Sequence, residues 1–177
     1  MVERGVSDWG IRRLYQPPND RWKTTRRDLI RDDKLGWHRL LDDLQEIAEG
    51  YPTWYGLIWL GLVPNDDRYR LAGRGRCRNS GPPVAVARAL RPCHVIPHEI
   101  GHALRMNHTN CKDPSIKDDL EELTDIVPNG RTSNVGIDVY SCRTTPSGSG
   151  DLMSYCDPHW TSAITWEYLG LQILMGA

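Results

Sequence analysis

Three histidines, at positions 98, 102 and 108, constrain the fold of this chain more than any other feature of its sequence. Residues 98–102 read HEIGH, and a helix would place His98 and His102 one turn apart on the same face. Two imidazoles in that arrangement can bind one Zn²⁺ at about 2.0–2.1 Å. If the helix continued, His108 would lie about 9 Å further along the axis and about 240° around it, away from the metal. The sequence therefore predicts a helix that ends soon after Leu104 and a chain that turns back to bring His108 to the other two.

Glu99 directly follows the first histidine of this motif. On a helix its carboxylate lies near the edge that carries the two imidazoles, where it can take a proton from zinc-bound water without occupying a coordination position. A catalytic zinc needs three protein ligands and an open position for water. We therefore predict that His98, His102 and His108 bind Zn²⁺ and that Glu99 is the general base.

This part of the sequence resembles the metzincin superfamily of zinc endopeptidases, whose signature HExxHxxGxxH is followed by a Met-containing turn. The chain has HEIGHALRMNH at residues 98–108 and DLMSY at residues 151–155. The resemblance implies one catalytic domain over residues 1–177, with an upper subdomain of about residues 1–107 and a lower one of about 108–177. It also implies that the chain hydrolyses peptide bonds with metal-activated water.

Two residues of the DLMSY segment have roles in the family. By resemblance, Met153 forms an apolar floor beneath the zinc. Tyr155 stands two residues after the Met, as in the astacin-like and serralysin-like branches. There a tyrosine can contact the zinc and swing away to stabilise the oxyanion, so the resemblance implies a catalytic role for Tyr155.

The chain departs from the family signature at Arg105, where the family has a glycine. That glycine takes a left-handed conformation as the helix turns back, and an arginine in the same conformation costs on the order of 1–2 kcal/mol. One solution is that Asn107, which tolerates positive φ, takes over the turn. The other is that Arg105 adopts the strained conformation and that zinc binding offsets the cost.

The order of predicted elements indicates an α+β fold of mixed α/β type. The resemblance implies a twisted sheet with two long helices in the N-terminal part, and the pattern indicates a loop-rich C-terminal part that ends in a helix. The predicted helices are at about residues 25–49, from 93–97 through 102, at 116–126 and at 162–175. The predicted strands are at 9–15, 55–63, 68–78 and 84–89, and the apolar run at 55–63 suits a central strand buried on both faces.

The segment 68–78 has an arginine at every even position except 72, so an extended chain would place these arginines on one face. Gly73 and Gly75 favour an edge strand or a bulge there. If this segment or residues 84–89 forms the edge next to a bound substrate, backbone pairing gives affinity and the arginines favour acidic substrates. Positive charge on an edge strand also prevents aggregation, so the arginines alone do not establish that preference.

Composition excludes several classes of protein. The 177 residues suffice for one buried core, and a net charge of −1 does not indicate a nucleic-acid-binding protein. No apolar run reaches about 18 residues, so we predict no membrane span. The N-terminus lacks the apolar segment of a signal peptide. We expect a monomer that acts on protein or peptide substrates.

Five cysteines occur without a CxxC pair, which argues against a thiolate zinc site. We predict two disulfides and one free thiol and, with the family resemblance, a secreted or extracellular protein. Five free thiols in a reducing compartment are the alternative.

The remaining histidines are His38, His94 and His159. They have no partner at ligand spacing, so we expect them at the surface or in contact with the metal ligands and not with the metal.

Two other readings use the same HEIGH motif. Glu122 lies 20 residues after His102 and resembles the second-helix glutamate of thermolysin-like gluzincins, which would make it the third ligand in place of His108. Alternatively, the chain is a non-catalytic zinc-binding recognition module, although an intact Glu99 argues against that. The ligands alone also leave open a zinc hydrolase with a non-peptide substrate.

Overall fold

The structure, a computed structural model, describes residues 23, 24, 26–31, 33–50, 58–64, 66–69, 71–76, 81–89, 94–109, 127–138 and 142–175. Its helices are α1 (Arg26–Arg31), α2 (Asp33–Glu49), α3 (Val95–Ala103) and α4 (Ala163–Met175). Its strands are β1 (Trp59–Val63), β2 (Gly73–Arg76), β3 (Val84–Arg88), β4 (Gly136–Asp138), β5 (Arg143–Thr145), β6 (Gly150–Asp151) and β7 (His159–Trp160). This combination confirms the predicted α+β class. The strand predicted at 9–15 and the helix predicted at 116–126 lie outside the described residues.

The segment predicted as one helix over residues 25–49 contains two helices. Gly36 of α2 packs so closely against α1 that a Cβ at Gly36 would lie 2.5 Å from the carbonyl oxygen of Asp28. Residues eight apart in one continuous helix are about 12 Å apart along the axis, so α1 folds back against α2. The prediction of a single helix was wrong because the helical spacing of apolar residues does not reveal a reversal of the chain between two helices. Helix α2 buries its apolar face, formed by Trp37, Leu40, Leu41, Leu44, Ile47 and Ala48.

Three strands form the main sheet in the order β1-β3-β2, with β1 parallel and β2 antiparallel to β3. All five residues of β3 are buried, so the segment 84–89 supplies the central strand and not the edge. The expectation that the strand at 55–63 is buried on both faces was wrong. Strand β1 lies at the edge of the described sheet, where Leu60 and Leu62 are 37% and 57% exposed. An apolar run records hydrophobicity but not the position of a strand within its sheet.

The two faces of this sheet carry side chains of different size. Val84 and Val86 of β3 belong to the core cluster that contains the apolar face of α2. The opposite face carries only small residues at the paired positions of β2 and β3, namely Gly73, Gly75, Ala85 and Ala87. Helix α3 packs on this second face and brings Glu99 and His102 against the glycines. The lack of side chains on these glycines lets the helix approach the strand backbone closely.

The C-terminal part has short elements and ends in a helix, as predicted. Strands β4 and β5 form an antiparallel pair and β6 and β7 a parallel pair. Helix α4 is capped at its start, because the Ser162 hydroxyl accepts a hydrogen bond from the Thr165 N–H at 3.1 Å.

A second, smaller hydrophobic core is formed by Met106, Leu152 and Met153. It packs beside Tyr168 and Leu169 of α4.

Two cysteines lie within the described residues. Cys142 has a free thiol at the surface, and Cys156 is buried and disulfide-bonded. The others, Cys77, Cys93 and Cys111, lie outside the described residues, so the number of disulfides and their pairing stay predictions. None of the described helices has both the length and the apolar character needed to cross a bilayer.

Candidate metal centre

Helix α3 carries the HEIGH motif and ends where the spacing of the histidines requires. Two backbone hydrogen bonds close the helix: the Arg105 N–H donates to the His102 carbonyl at 3.0 Å, and the Met106 N–H donates to the Gly101 carbonyl at 2.9 Å. This pair of bonds is the Schellman motif, which terminates a helix and reverses the chain. The turn brings His108 back to the helix, as the sequence predicts.

The residue that turns the chain is Arg105. Its φ is 69°, whereas Asn107 is not among the described residues with positive φ. Of the two solutions considered from the sequence, the chain uses the left-handed arginine. This conformation costs on the order of 1–2 kcal/mol. The two hydrogen bonds of the turn and the contacts of His108 with the other two histidines have to offset that cost.

The three histidines meet at one point through their Nε2 atoms. The Nε2 of His98 lies 3.2 Å from those of His102 and His108, and the latter two are 3.1 Å apart. Atoms at about 2.0–2.1 Å from one tetrahedral Zn²⁺ lie about 3.3–3.4 Å from each other, so the triangle fits such an ion to within a few tenths of an ångström. The three residues can therefore hold one metal ion.

Hydrogen bonds on the far side of two rings fix their protonation. The Nδ1–H of His98 donates to the Leu152 carbonyl at 2.7 Å, and the Nδ1–H of His102 donates to the Met106 carbonyl at 2.8 Å. In a neutral imidazole, a proton on Nδ1 leaves a lone pair on Nε2. Lone pairs that face each other at about 3 Å repel unless a cation lies between them. The backbone thus presents His98 and His102 in the form that a metal ion needs.

Burial keeps the imidazoles of His98 and His108 neutral. Burial, with a smaller effect of the neighbouring His102, lowers the pKa of His98 from 6.5 to about 4 and the pKa of His108 from 6.5 to about 3. Neutral imidazole is the metal-binding form, so protons do not compete for these two nitrogens at neutral pH.

We expect the metal-free protein to lose stability as the pH falls from about 6.5 to about 4. In that window the unfolded chain takes up protons at His98 and His108 while the folded chain keeps both rings neutral. Because the unfolded state then binds more protons, the free energy of unfolding decreases with decreasing pH. Denaturant titrations of the metal-free protein across this range measure the slope. A His108→Asn variant should have a shallower slope, and an equal slope in both proteins would contradict the prediction.

Glu99 is buried between α3 and β2. Burial raises the pKa of its carboxyl from 4.5 to about 8, against the opposing effects of a hydrogen bond from the Gly75 backbone and the charge of Arg74. A Cβ at Gly73 would lie 2.6 Å from the Glu99 Cγ, and one at Gly75 would collide with the Glu99 carbonyl oxygen. The two glycines therefore leave room for the helix backbone and for this carboxyl.

Replacing Gly75 with Ala should destabilise the fold and weaken metal binding. The φ of Gly75 is not positive, so the backbone accepts an alanine, but the added methyl would overlap the Glu99 carbonyl and lie 2.8 Å from the His102 Cβ. Overpacking of this kind costs about 1–3 kcal/mol. Thermal unfolding and a zinc titration measure the two effects. The control is Gly170→Ala in α4, where the added methyl meets nothing within 4 Å and should be neutral or stabilising.

The predicted Met-turn, residues 151–155, lies directly against α3. Met153 is fully buried, and a Cβ at Gly101 would collide with its sulfur. The turn also supplies the Leu152 carbonyl that accepts the His98 proton, and the Met153 carbonyl accepts the N–H of Thr109, next to His108. Met153 thus packs against the helix that carries two of the histidines, and its role as a floor beneath a metal ion stays a prediction.

Tyr155 extends from this turn to the histidines. Its hydroxyl oxygen lies 2.7 Å from the His108 Nε2, and its ring is 46% exposed. The ring centroid is 4.6 Å from that of His108 and 5.9 Å from that of His98. The hydroxyl therefore lies within hydrogen-bond distance of one of the three Nε2 atoms that meet at the site.

Two further histidines form a pair that sequence reasoning missed. His94 and His159 stack with ring centroids 4.1 Å apart, and the His159 Nε2–H donates to the Ser154 carbonyl at 2.9 Å. The spacing of His94 from His98 relates those two residues only, so the sequence carries no signal for a pairing of His94 with His159. Glu122, the alternative third ligand, lies outside the described residues.

Of the arginines in the segment 68–78, the structure describes Arg68, Arg74 and Arg76, and two of these form ion pairs. Arg76 forms an ion pair with Asp42 at 2.6 Å, and Arg68 forms one with Asp66 at 2.9 Å. These pairs supply a structural role for the two arginines. Arg74 is close enough to Glu99 to affect its pKa, so it adds positive charge near the site.

Comparison with known proteins does not assign the chain to a family: no family model, no curated protein and no solved structure matches it.

Proposed function

We propose that this chain is a zinc-dependent endopeptidase with a metzincin-like fold. The observation that carries the proposal is the triangle of Nε2 atoms at 3.1–3.2 Å, with two of its three lone pairs fixed by backbone carbonyls. The buried carboxyl of Glu99, next to His98 in the chain, and the hydroxyl of Tyr155, 2.7 Å from the His108 Nε2, support it, since they would supply a base and an oxyanion donor.

In this proposal His98, His102 and His108 hold Zn²⁺, which when bound acts as a Lewis acid and lowers the pKa of water. Glu99 takes a proton from the attacking water and passes it to the leaving amine. Its burial makes it a stronger base than an exposed carboxylate, and the Gly75 N–H orients it. Tyr155 donates its hydroxyl proton in a hydrogen bond to the developing oxyanion.

Strand β2 is the proposed binding edge for the substrate. It pairs with β3 on one side, and within the described part of the chain no strand pairs with its other side. Its backbone lies against Glu99, so an extended peptide added to this edge would pass the base. The same proposal includes a monomeric, extracellular protein that acts on proteins or peptides.

Removal of the metal tests the function directly. A chelator should abolish hydrolysis of a denatured protein such as casein, and added Zn²⁺ should restore it, because the proposed reaction requires the ion. A serine protease assayed in the same chelator controls for effects on the substrate. Hydrolysis that persists without metal would exclude the mechanism, and zinc binding without any hydrolysis would favour a recognition module.

A further inference from the structure

The turn at residues 151–155 presents three consecutive carbonyls to three different groups around the site. The Leu152 carbonyl accepts the Nδ1–H of His98 at 2.7 Å. The Met153 carbonyl accepts the N–H of Thr109 at 2.9 Å. The Ser154 carbonyl accepts the Nε2–H of His159 at 2.9 Å. The position of this one turn therefore sets the position of the His98 ring and of the chain next to His108.

A fully buried carboxylate holds the turn in place. One oxygen of Asp151 accepts the Met153 N–H at 2.9 Å, inside the turn, and the other accepts the Ser162 N–H at 3.0 Å, at the start of α4. The Thr165 hydroxyl lies 2.9 Å from both oxygens. Asp151 is 0% exposed, so these protein donors replace water around its charge.

The hydrogen bonds explain why this position carries a carboxylate. An ionised Asp is an acceptor only, and both of its oxygens face N–H donors of the backbone. An amide at the same place would turn an NH₂ group toward either the Met153 or the Ser162 N–H. The start of α4 also favours a negative charge, since the helix dipole is positive there.

We infer that Asp151 is a positioning residue for the metal centre, which it serves by tying the turn to the start of α4. The inference rests on the proposed zinc site, although not on its catalytic activity. The carboxylate acts through Leu152 and Met153, whose carbonyls orient the His98 ring and hold the chain at Thr109. Loss of a hydrogen-bond partner behind a metal ligand typically lowers metal affinity by about 10- to 100-fold.

Asp151→Asn tests the inference, with Ser162→Ala as the matched control. The control removes the hydroxyl that caps α4 but keeps the Ser162 N–H that binds Asp151. Both variants should lower the thermal midpoint. Only Asp151→Asn should lower zinc affinity by about 10- to 100-fold in chelator competition and change the visible absorption spectrum of the Co²⁺-substituted protein.

The outcomes separate positioning from simple stability. Wild-type zinc affinity and an unchanged Co²⁺ spectrum in folded Asp151→Asn would overturn the inference. If that variant does not fold, Thr165→Val removes one donor to the carboxylate and should move affinity and spectrum in the same direction; no change in either would overturn the inference. A wild-type chain that binds zinc without hydrolysing peptides refutes the proposed function but leaves this test valid. A wild-type chain that binds no zinc overturns both.

Discussion

Glu99→Gln should hydrolyse casein about 100- to 10,000-fold more slowly than wild type at equal zinc occupancy. Glutamine keeps the size of the side chain and can accept the Gly75 hydrogen bond, but it cannot take a proton from water. Its effect should therefore fall on turnover and not on zinc affinity. Steady-state hydrolysis, with zinc measured in each sample, checks this result.

The same substitution should raise the stability of the metal-free protein near pH 7. Burial raises the pKa of Glu99 to about 8, so between pH 4.5 and about 8 the folded state holds a proton that the unfolded state has lost. The contribution of Glu99 to the free energy of unfolding therefore decreases as the pH rises through this window, opposite in sign to the contribution of the two histidines below pH 6.5, and glutamine removes the loss that Glu99 causes. Equal hydrolysis by wild type and Glu99→Gln would exclude Glu99 as the base, whatever the stability.

His108→Ala should reduce zinc affinity more than about 10- to 100-fold, which is the effect of removing a hydrogen-bond partner of a metal ligand. The substitution removes one of the three Nε2 atoms that meet at the site, and two histidines on one helix do not complete a catalytic zinc site. Chelator competition measures the change, and casein hydrolysis should fall with zinc occupancy.

His38→Ala is the control for this loss of a histidine. His38 is half-buried on α2, near Arg74 and Arg76, and the structure does not place it in the histidine cluster. Its replacement should leave zinc affinity unchanged. If His108→Ala also bound zinc as wild type does, the third ligand would lie elsewhere, and Glu122 would become the leading candidate.

The convergence of the three histidines was predictable because its constraints are local. The spacing of the three histidines permits convergence only if the helix ends between His102 and His108, and α3 ends there. The choice between Arg105 and Asn107 for the turn was not predictable, because each solution has a cost that depends on neighbours distant in the sequence. The left-handed φ of Arg105 resolves it.

The position of the strands was less accessible to sequence reasoning. The apolar run that includes β1 suits a central strand, yet Leu60 and Leu62 face solvent, since the order of strands depends on contacts between distant segments. Asp151 was missed for a similar reason. Nothing near it in the sequence shows that its carboxylate is buried among donors from both the turn and α4.

The glycines beside α3 have a consequence for how this protein tolerates mutation. Gly73 and Gly75 contact the helix that carries the histidines, and Gly101 contacts the sulfur beneath it, through space that a single methyl group would fill. In a library of single substitutions these three positions should reject even alanine and resemble the three histidines in their intolerance. Mutational sensitivity around this site will therefore mark the residues that set the distance between strand and helix together with those that perform chemistry.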